Sequence, residues 1–194
     1  MRKTFLFLCS VLFALVAFSQ TKNSLSVLYS PASNGIDIKN GWIGDMGYTG
    51  KGTSLIELRY SRPINSYFTI ETGLQYTNNR IEMDYFPDGV THYKNLEINM
   101  ISIPISGNVT FLKYFFVETG PTFDFETNHS SSASANNQSG IGLALGLGGK
   151  YTFKRVTLIV NPFFQRHLLL SIQSGQTIQH LWQSGVKFGV GFNF

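Results

Sequence analysis

The chain has 194 residues, a formal net charge of +4, one Cys, 17 Phe, 9 Tyr, 19 Gly, 6 Pro and only 13% charged residues. So small a positive surplus gives no reason to expect a nucleic-acid partner, and a single Cys rules out an internal disulfide framework. Many aromatics and glycines beside few charges suit an all-β exported protein better than a helical one.

Arg2 and Lys3 form a short positive start, and residues 4–18 then run almost without polar interruption. Ala17-Phe18-Ser19 before Gln20 has the small-residue spacing of a signal-peptidase site. An apolar run of about fifteen residues is short for a spanning helix, which needs about 20. A cleavable signal peptide over 1–19 is therefore expected, leaving one domain over 20–194. Cys9 lies inside the apolar run behind the bulky Phe7-Leu8, which argues against a lipoprotein site, and cleavage would remove it together with Arg2 and Lys3.

Beyond the leader, alternation replaces helical periodicity, the signature of strands. In chain order the expected strands are 24–31, 53–62, 67–77, 91–110, 114–125, 140–153, 156–169 and a last one ending at Phe194. In the third, Phe68, Ile70, Leu74 and Tyr76 oppose Glu71, Gly73 and Gln75. In the sixth, Ile141, Leu143, Leu145, Leu147, Tyr151 and Phe153 oppose Gly142, Ala144, Gly146, Gly148 and Lys150. The fourth strand changes phase: Leu96, Ile98 and Met100 share one parity, then Ile101, Ile103 and Ile105 take the other. A β-bulge near Met100, beside Pro104, would account for the switch.

The connectors alternate in length. Those at 63–66, 111–113 and 154–155 are tight, whereas 32–52, 86–90, 127–139 and 171–178 are longer or polar. Short turns at one end and long loops at the other are the pattern of an outer-membrane barrel with its turns in the periplasm. The predicted fold class is thus all-β: a transmembrane antiparallel up-and-down β-barrel of about eight strands.

A soluble lipocalin-like carrier would also alternate, but with its apolar face inside. Here the less apolar face holds glycines with a few large ions: Glu57, Arg59, Glu71, Glu118, Lys150 and Lys187. A water-facing surface would carry more charges than glycines, whereas a narrow lumen needs small residues around a few paired ions. These six are expected to form a lumenal polar network. Tyr60, Tyr76, Tyr151, Phe153, Trp182, Phe192 and Phe194 gather near strand ends on the apolar face, as membrane-interface belts do.

The chain closes on Lys187-Phe188-Gly189-Val190-Gly191-Phe192-Asn193-Phe194. Lys187, Gly189, Phe192 and Phe194 resemble the signal that the barrel-assembly machinery reads on a last strand, where an extended edge adds to a sheet by backbone hydrogen bonds. Leu96-Glu97-Ile98, Ile103-Pro104-Ile105 and Phe116-Val117-Glu118-Thr119-Gly120-Pro121 are similar to stretches of the small outer-membrane β-barrel family of Bacteroidota, the PorT-like proteins, although here an insertion separates the Leu-Glu-Ile from the Ile-Pro. The resemblance covers nearly all of the mature chain and implies the fold and an outer-membrane location. Its members differ in role, some being linked to protein secretion, so it implies no particular activity.

Nothing in the spacing marks a catalytic, metal or cofactor site. His92, His129, His167 and His180 are scattered, and Ser130–Ser132, Ser171 and Ser174 near them lie in polar connectors. Asp84 and Asp88 read as turn chemistry around Pro87-Asp88-Gly89, and the glycines of 142–149 read as a barrel wall, since no Lys-Ser/Thr follows. The expected function is a non-enzymatic barrel with a structural or loop-mediated binding role. Its partners would be outer-membrane lipid, the assembly machinery and an unknown extracellular or secretion partner, without nucleic acid. The alternatives are a narrow transport pore, the lipocalin-like carrier, and a lipid-modifying barrel enzyme using His167 or His180 at the outer rim.

Overall fold

The strand-forming alternation closes on itself. The computed structural model describes residues 22–39, 46–86, 88, 90–128, 137–171 and 178–194; the expected leader, His129, Ser130–Ser132 and Ser174 lie outside them. The elements are β1 (Ser24–Lys39), β2 (Met46–Pro63), β3 (Phe68–Tyr85), β4 (His92–Phe111), β5 (Phe115–Glu126), β6 (Gly140–Phe153), β7 (Val156–Ser171) and β8 (Ile178–Asn193). Each pairs antiparallel with its neighbour in sequence, and β1 pairs with β8, giving a closed up-and-down barrel. Closure leaves no unpaired edge, which is what permits strands to cross hydrocarbon.

The short connectors carry specific backbone chemistry. Asn65 Oδ1 accepts the Tyr67 and Phe68 amides, both at 2.8 Å, which fixes the turn after β2. Leu112 (φ 47°) and Lys113 (φ 71°) make the turn after β4, and Lys154 (φ 55°) the turn after β6. Positive φ at the tip of a tight hairpin matches the twist of the flanking strands.

At the turn end and through the middle of the barrel, the exterior is apolar and the interior polar. Outward residues 101–111 of β4 and 68–76 of β3 include Ile101, Ile103, Ile105, Val109, Phe111, Phe68, Ile70, Leu74 and Tyr76, all exposed. Each run is about the length of a strand crossing hydrocarbon, roughly 9–11 residues. Inward positions of the same strands are Glu71, Gln75, Ser102 and Asn108, all buried.

At the loop end the polarity inverts. Ile81, Met83, Leu96, Ile98, Met100 and Leu181 form a buried apolar cluster inside the barrel, with Ile36, Tyr48 and Tyr85 packed against it. Arg80, Asn95 and Glu97 point outward there. The expected bulge near Met100 is absent: β4 keeps one register with β3 and one with β5 across that region. The apolar set changes parity because the strand leaves the apolar belt, so the apolar residues move from the outer wall to the inner one.

One expected loop also shrinks. The connector placed at 32–52 is mostly strand, since β1 runs to Lys39 and β2 starts at Met46. The irregularity falls instead between Gly50 and Thr53, where Gly52 has φ 97° and donates its amide to Asn34 Oδ1 at 3.0 Å. This bulge switches the parity of β2 and turns Tyr48 inward against the apolar cluster. A second irregularity, at Ile141/Leu143 of the β6–β7 ladder, coincides with buried Leu168 at φ 55°.

Candidate functional site

The polar lumen is organised around one cation. Arg59 projects inward from β2, opposite Gly73 of β3, and is 4% exposed. Its Nε donates to Glu57 Oε1 at 2.6 Å, and its Nη1 donates to Glu71 Oε2 at 3.1 Å and Glu118 Oε2 at 2.7 Å. Nη2 reaches Glu118 Oε1 at 3.3 Å. One planar guanidinium thus serves carboxylates from β2, β3 and β5, a geometry that a lysine could not match.

Lys187 of β8 completes the ring from the other side. Its Nζ lies 2.7 Å from Glu57 Oε2 and 3.4 Å from Gln75 Oε1, and 4.7 Å from the Phe163 ring centre. Neutral donors take the remaining lone pairs. Ser61 Oγ and Asn108 Nδ2 donate to Glu71 Oε1 at 3.1 and 3.3 Å, and Asn161 Nδ2 donates to Glu118 Oε1 at 2.8 Å. Gln75 donates onward to Gln165 Oε1 at 3.1 Å. Charges held this far from water persist only when paired and fully hydrogen-bonded.

The glycines on this face make the room. A Cβ at Gly146 would stand 2.6 Å from Asn161 Oδ1 and 2.8 Å from Glu118 Cγ. A Cβ at Gly73 would strike the Leu58 backbone carbonyl. Among the described residues, a cavity of about 10 Å³ lies beside Glu57, Arg59, Glu71, Glu118 and Lys187, room for about one water.

The structure therefore brings together Glu57, Arg59, Glu71, Glu118 and Lys187. Lys150 stands apart: its Nζ donates to Thr110 Oγ1 at 2.8 Å and lies 5.9 Å from the Phe116 ring, nearer the turns. Sequence reasoning had not put Ser61, Gln75, Asn108, Asn161 and Gln165 into the network. Their strand parity was the available signal, since each shares the inward face. Of the C-terminal set, Lys187 and Gly189 face inward, Gly189 against Leu28, whereas Phe192 and Phe194 face outward and are exposed.

The arrangement closest to catalytic chemistry lies nearer the loops. His167 Nδ1 is 2.7 Å from Asp124 Oδ2, and Thr122 Oγ1 donates to the same oxygen at 3.2 Å. Both His167 and Asp124 are fully buried inside the lumen, not at the rim where the sequence suggested a His167 site. A hydrolytic set needs a nucleophile on the far ring nitrogen. His167 Nε2 has no hydrogen-bond partner among the described residues, and neither has Ser102 Oγ, opposite Asp124 in the β4–β5 ladder. His180 is also buried, and His92 stacks on Tyr85 beside Asp88 at the start of β4, at the loop end. Among the described residues, no group of three or more His, Cys, Asp or Glu is placed to hold a metal ion.

At the loop end a side chain pairs with the free edge of β8. Gln138, buried just before β6, accepts the Leu181 amide at 3.0 Å and donates to the Gln179 carbonyl at 3.1 Å. The β7–β8 ladder stops at Arg166 and Trp182, so one amide side chain takes over where β7 no longer pairs.

No family model matches the chain, and no curated protein does. Solved structures do. The chain is similar to the outer membrane protein OprG from Pseudomonas aeruginosa, with 11% identity over 90% of this chain and 96% of that one at a TM-score of 0.58. It is similar also to the outer membrane protein AlkL in lipid bilayers, with 10% identity over 92% of each chain at a TM-score of 0.53. At such identities the likeness is one of fold: this chain has the fold of the small eight-stranded outer-membrane β-barrels.

Proposed function

We propose that the chain is an integral protein of the bacterial outer membrane that works as a closed, non-enzymatic scaffold, holding its long loops at the cell surface for a binding partner. The carrying observation is the filled lumen. Arg59, three carboxylates and Lys187 occupy the middle beside a cavity of about 10 Å³, and the apolar cluster packs inside the loop end. Eight strands give an interior that side chains can fill completely. The apolar belt over β3 and β4 supports the lipid setting, and the PorT-like resemblance of the strand sequences supports a bacterial outer membrane. In this reading Lys187, Gly189, Phe192 and Phe194 address the last strand to the assembly machinery. The full burial of His167 and Asp124 favours a packing role over catalysis.

Planar-bilayer recording on the purified, refolded protein tests the proposal. A closed scaffold gives no stable open level at moderate voltage. A steady, reproducible open level would overturn it in favour of a narrow pore.

A further inference from the structure

The two ends of the barrel differ in charge. At the turn end, Lys22, Arg62, Lys113, Lys154 and Arg155 approach or form the connectors, and no Asp or Glu lies in the turns at 63–67, 112–114 or 154–155. All but half-buried Arg62 are exposed, and none is in an ion pair among the described residues, whereas at the loop end Lys51 pairs with Glu82 at 3.0 Å and Arg166 with Asp37 at 3.2 Å. The sequence places Asp37, Glu82, Asp84, Asp88, Glu97 and Glu126 toward that loop end.

Each turn-end cation also sits beside exposed apolar side chains. Leu112 (78% exposed), Tyr114 and Phe115 flank Lys113. Phe153 and Val156 flank Lys154 and Arg155, and Lys154 Nζ lies 5.4 Å from the Phe153 ring centre. Ile64 and Tyr67 follow Arg62. Apolar side chains that dip into acyl chains beside a cation reaching toward water put that cation at phosphate depth. An acidic soluble partner would not need the apolar flanks.

From this juxtaposition we infer that the turn-end collar, Arg62, Lys113, Lys154 and Arg155, binds the headgroups of anionic phospholipids in the leaflet that the turns face. Each Lys or Arg at a membrane surface attracts anionic lipid, and the attraction falls off within a Debye length. The inference rests on the membrane reading above and adds a lipid class and a leaflet side to it.

Spin-label measurement of lipid association tests it. The refolded barrel is reconstituted in phosphatidylcholine bilayers with a trace of spin-labelled phosphatidylglycerol or spin-labelled phosphatidylcholine, and the motionally restricted fraction is compared. The collar predicts a relative association constant of about 3 or more for the anionic lipid. That preference falls to about 1 when Arg62→Gln, Lys113→Gln, Lys154→Gln and Arg155→Gln are combined, and again for the unmodified protein in about 1 M salt, where the Debye length is about 3 Å. It survives Arg80→Gln with Lys94→Gln at the loop end. Equal restriction of the two lipids by the unmodified barrel overturns the inference alone, as does a preference that neither the collar variant nor salt reduces. Failure of the unmodified protein to enter bilayers overturns the membrane reading and the inference together.

Discussion

Replacing Arg59 by Met should destabilise the barrel more than any other single change in the lumen. Arg59 contacts Glu57, Glu71 and Glu118 at 2.6, 3.1 and 2.7 Å, and all four groups are buried. After its removal Lys187 still neutralises Glu57, but Glu71 is left to the neutral donors Ser61 and Asn108, and Glu118 to the neutral donor Asn161, with no cation in hydrogen-bond contact among the described residues. Leaving buried charge without its partner costs about 3–5 kcal/mol. With a denaturant slope of about 1–3 kcal/mol per molar urea, the midpoint should fall by about 1–5 M. The folded fraction can be followed by semi-native gel mobility after urea titration in phosphatidylcholine vesicles. The sharper test adds Glu71→Gln and Glu118→Gln to Arg59→Met. Neutralising the stranded acids should restore most of the loss, because a buried ionic cluster and a neutral one of similar volume are often close in stability. A loss below about 1 kcal/mol for Arg59→Met, or a triple variant weaker than the single one, would refute the account of Arg59 as the hub.

The wall and the turns give further expectations. Ile105→Lys, in the middle of the outward run of β4, should cost about 2–4 kcal/mol by the same titration, whereas Asn95→Lys, outward beyond the belt on the same strand, should cost almost nothing. Gly146→Val forces a side chain against Asn161 and Glu118 and should cost about 1–3 kcal/mol, read as a lowered urea midpoint. At Leu112, with φ 47° and 78% exposed, Asn should be tolerated or mildly stabilising, while Val should lose about 1 kcal/mol because a branched Cβ resists positive φ. Equal midpoints for the two Leu112 variants would count against that turn geometry.

Much of the barrel could be read from alternation, since a closed sheet with unlike solvents on its two faces imposes period two on nearly every strand. Residues 140–153 show this plainly: Leu143, Leu145 and Leu147 face outward, while Gly142, Gly146 and Gly148 face inward, Gly146 opposite Glu118. The inward placement of Glu57, Arg59, Glu71, Glu118 and Lys187 follows from the same parity. Which of them touch does not, because contact depends on how far each strand is displaced along its neighbour. Lys150 shares the inward face yet sits too near the turns to reach the carboxylates. Gln138 was hidden for a different reason. It lies in a polar connector, and its role follows from where the β7–β8 ladder stops, which depends on the irregularity around Leu168.

The phase change in β4 shows why a bulge was the wrong explanation. A bulge keeps the rule "apolar faces out" and bends the strand to obey it. The structure keeps the strand regular and changes the rule. Apolar side chains face whichever side holds no water, and that side depends on height along the barrel. Within the belt the dry side is the exterior, so Ile101, Ile103 and Ile105 point out. Above it the dry side is the lumen, so Leu96, Ile98 and Met100 point in and pack with Ile81, Met83 and Leu181. The loop half is in this respect built like a small soluble barrel standing on a membrane barrel. Its apolar core lies on the loop side of the Arg59 network, so two unlike layers are stacked inside the barrel. Under the closed-scaffold proposal, a continuous path opens only if both layers break, one held by paired charge and the other by excluded water.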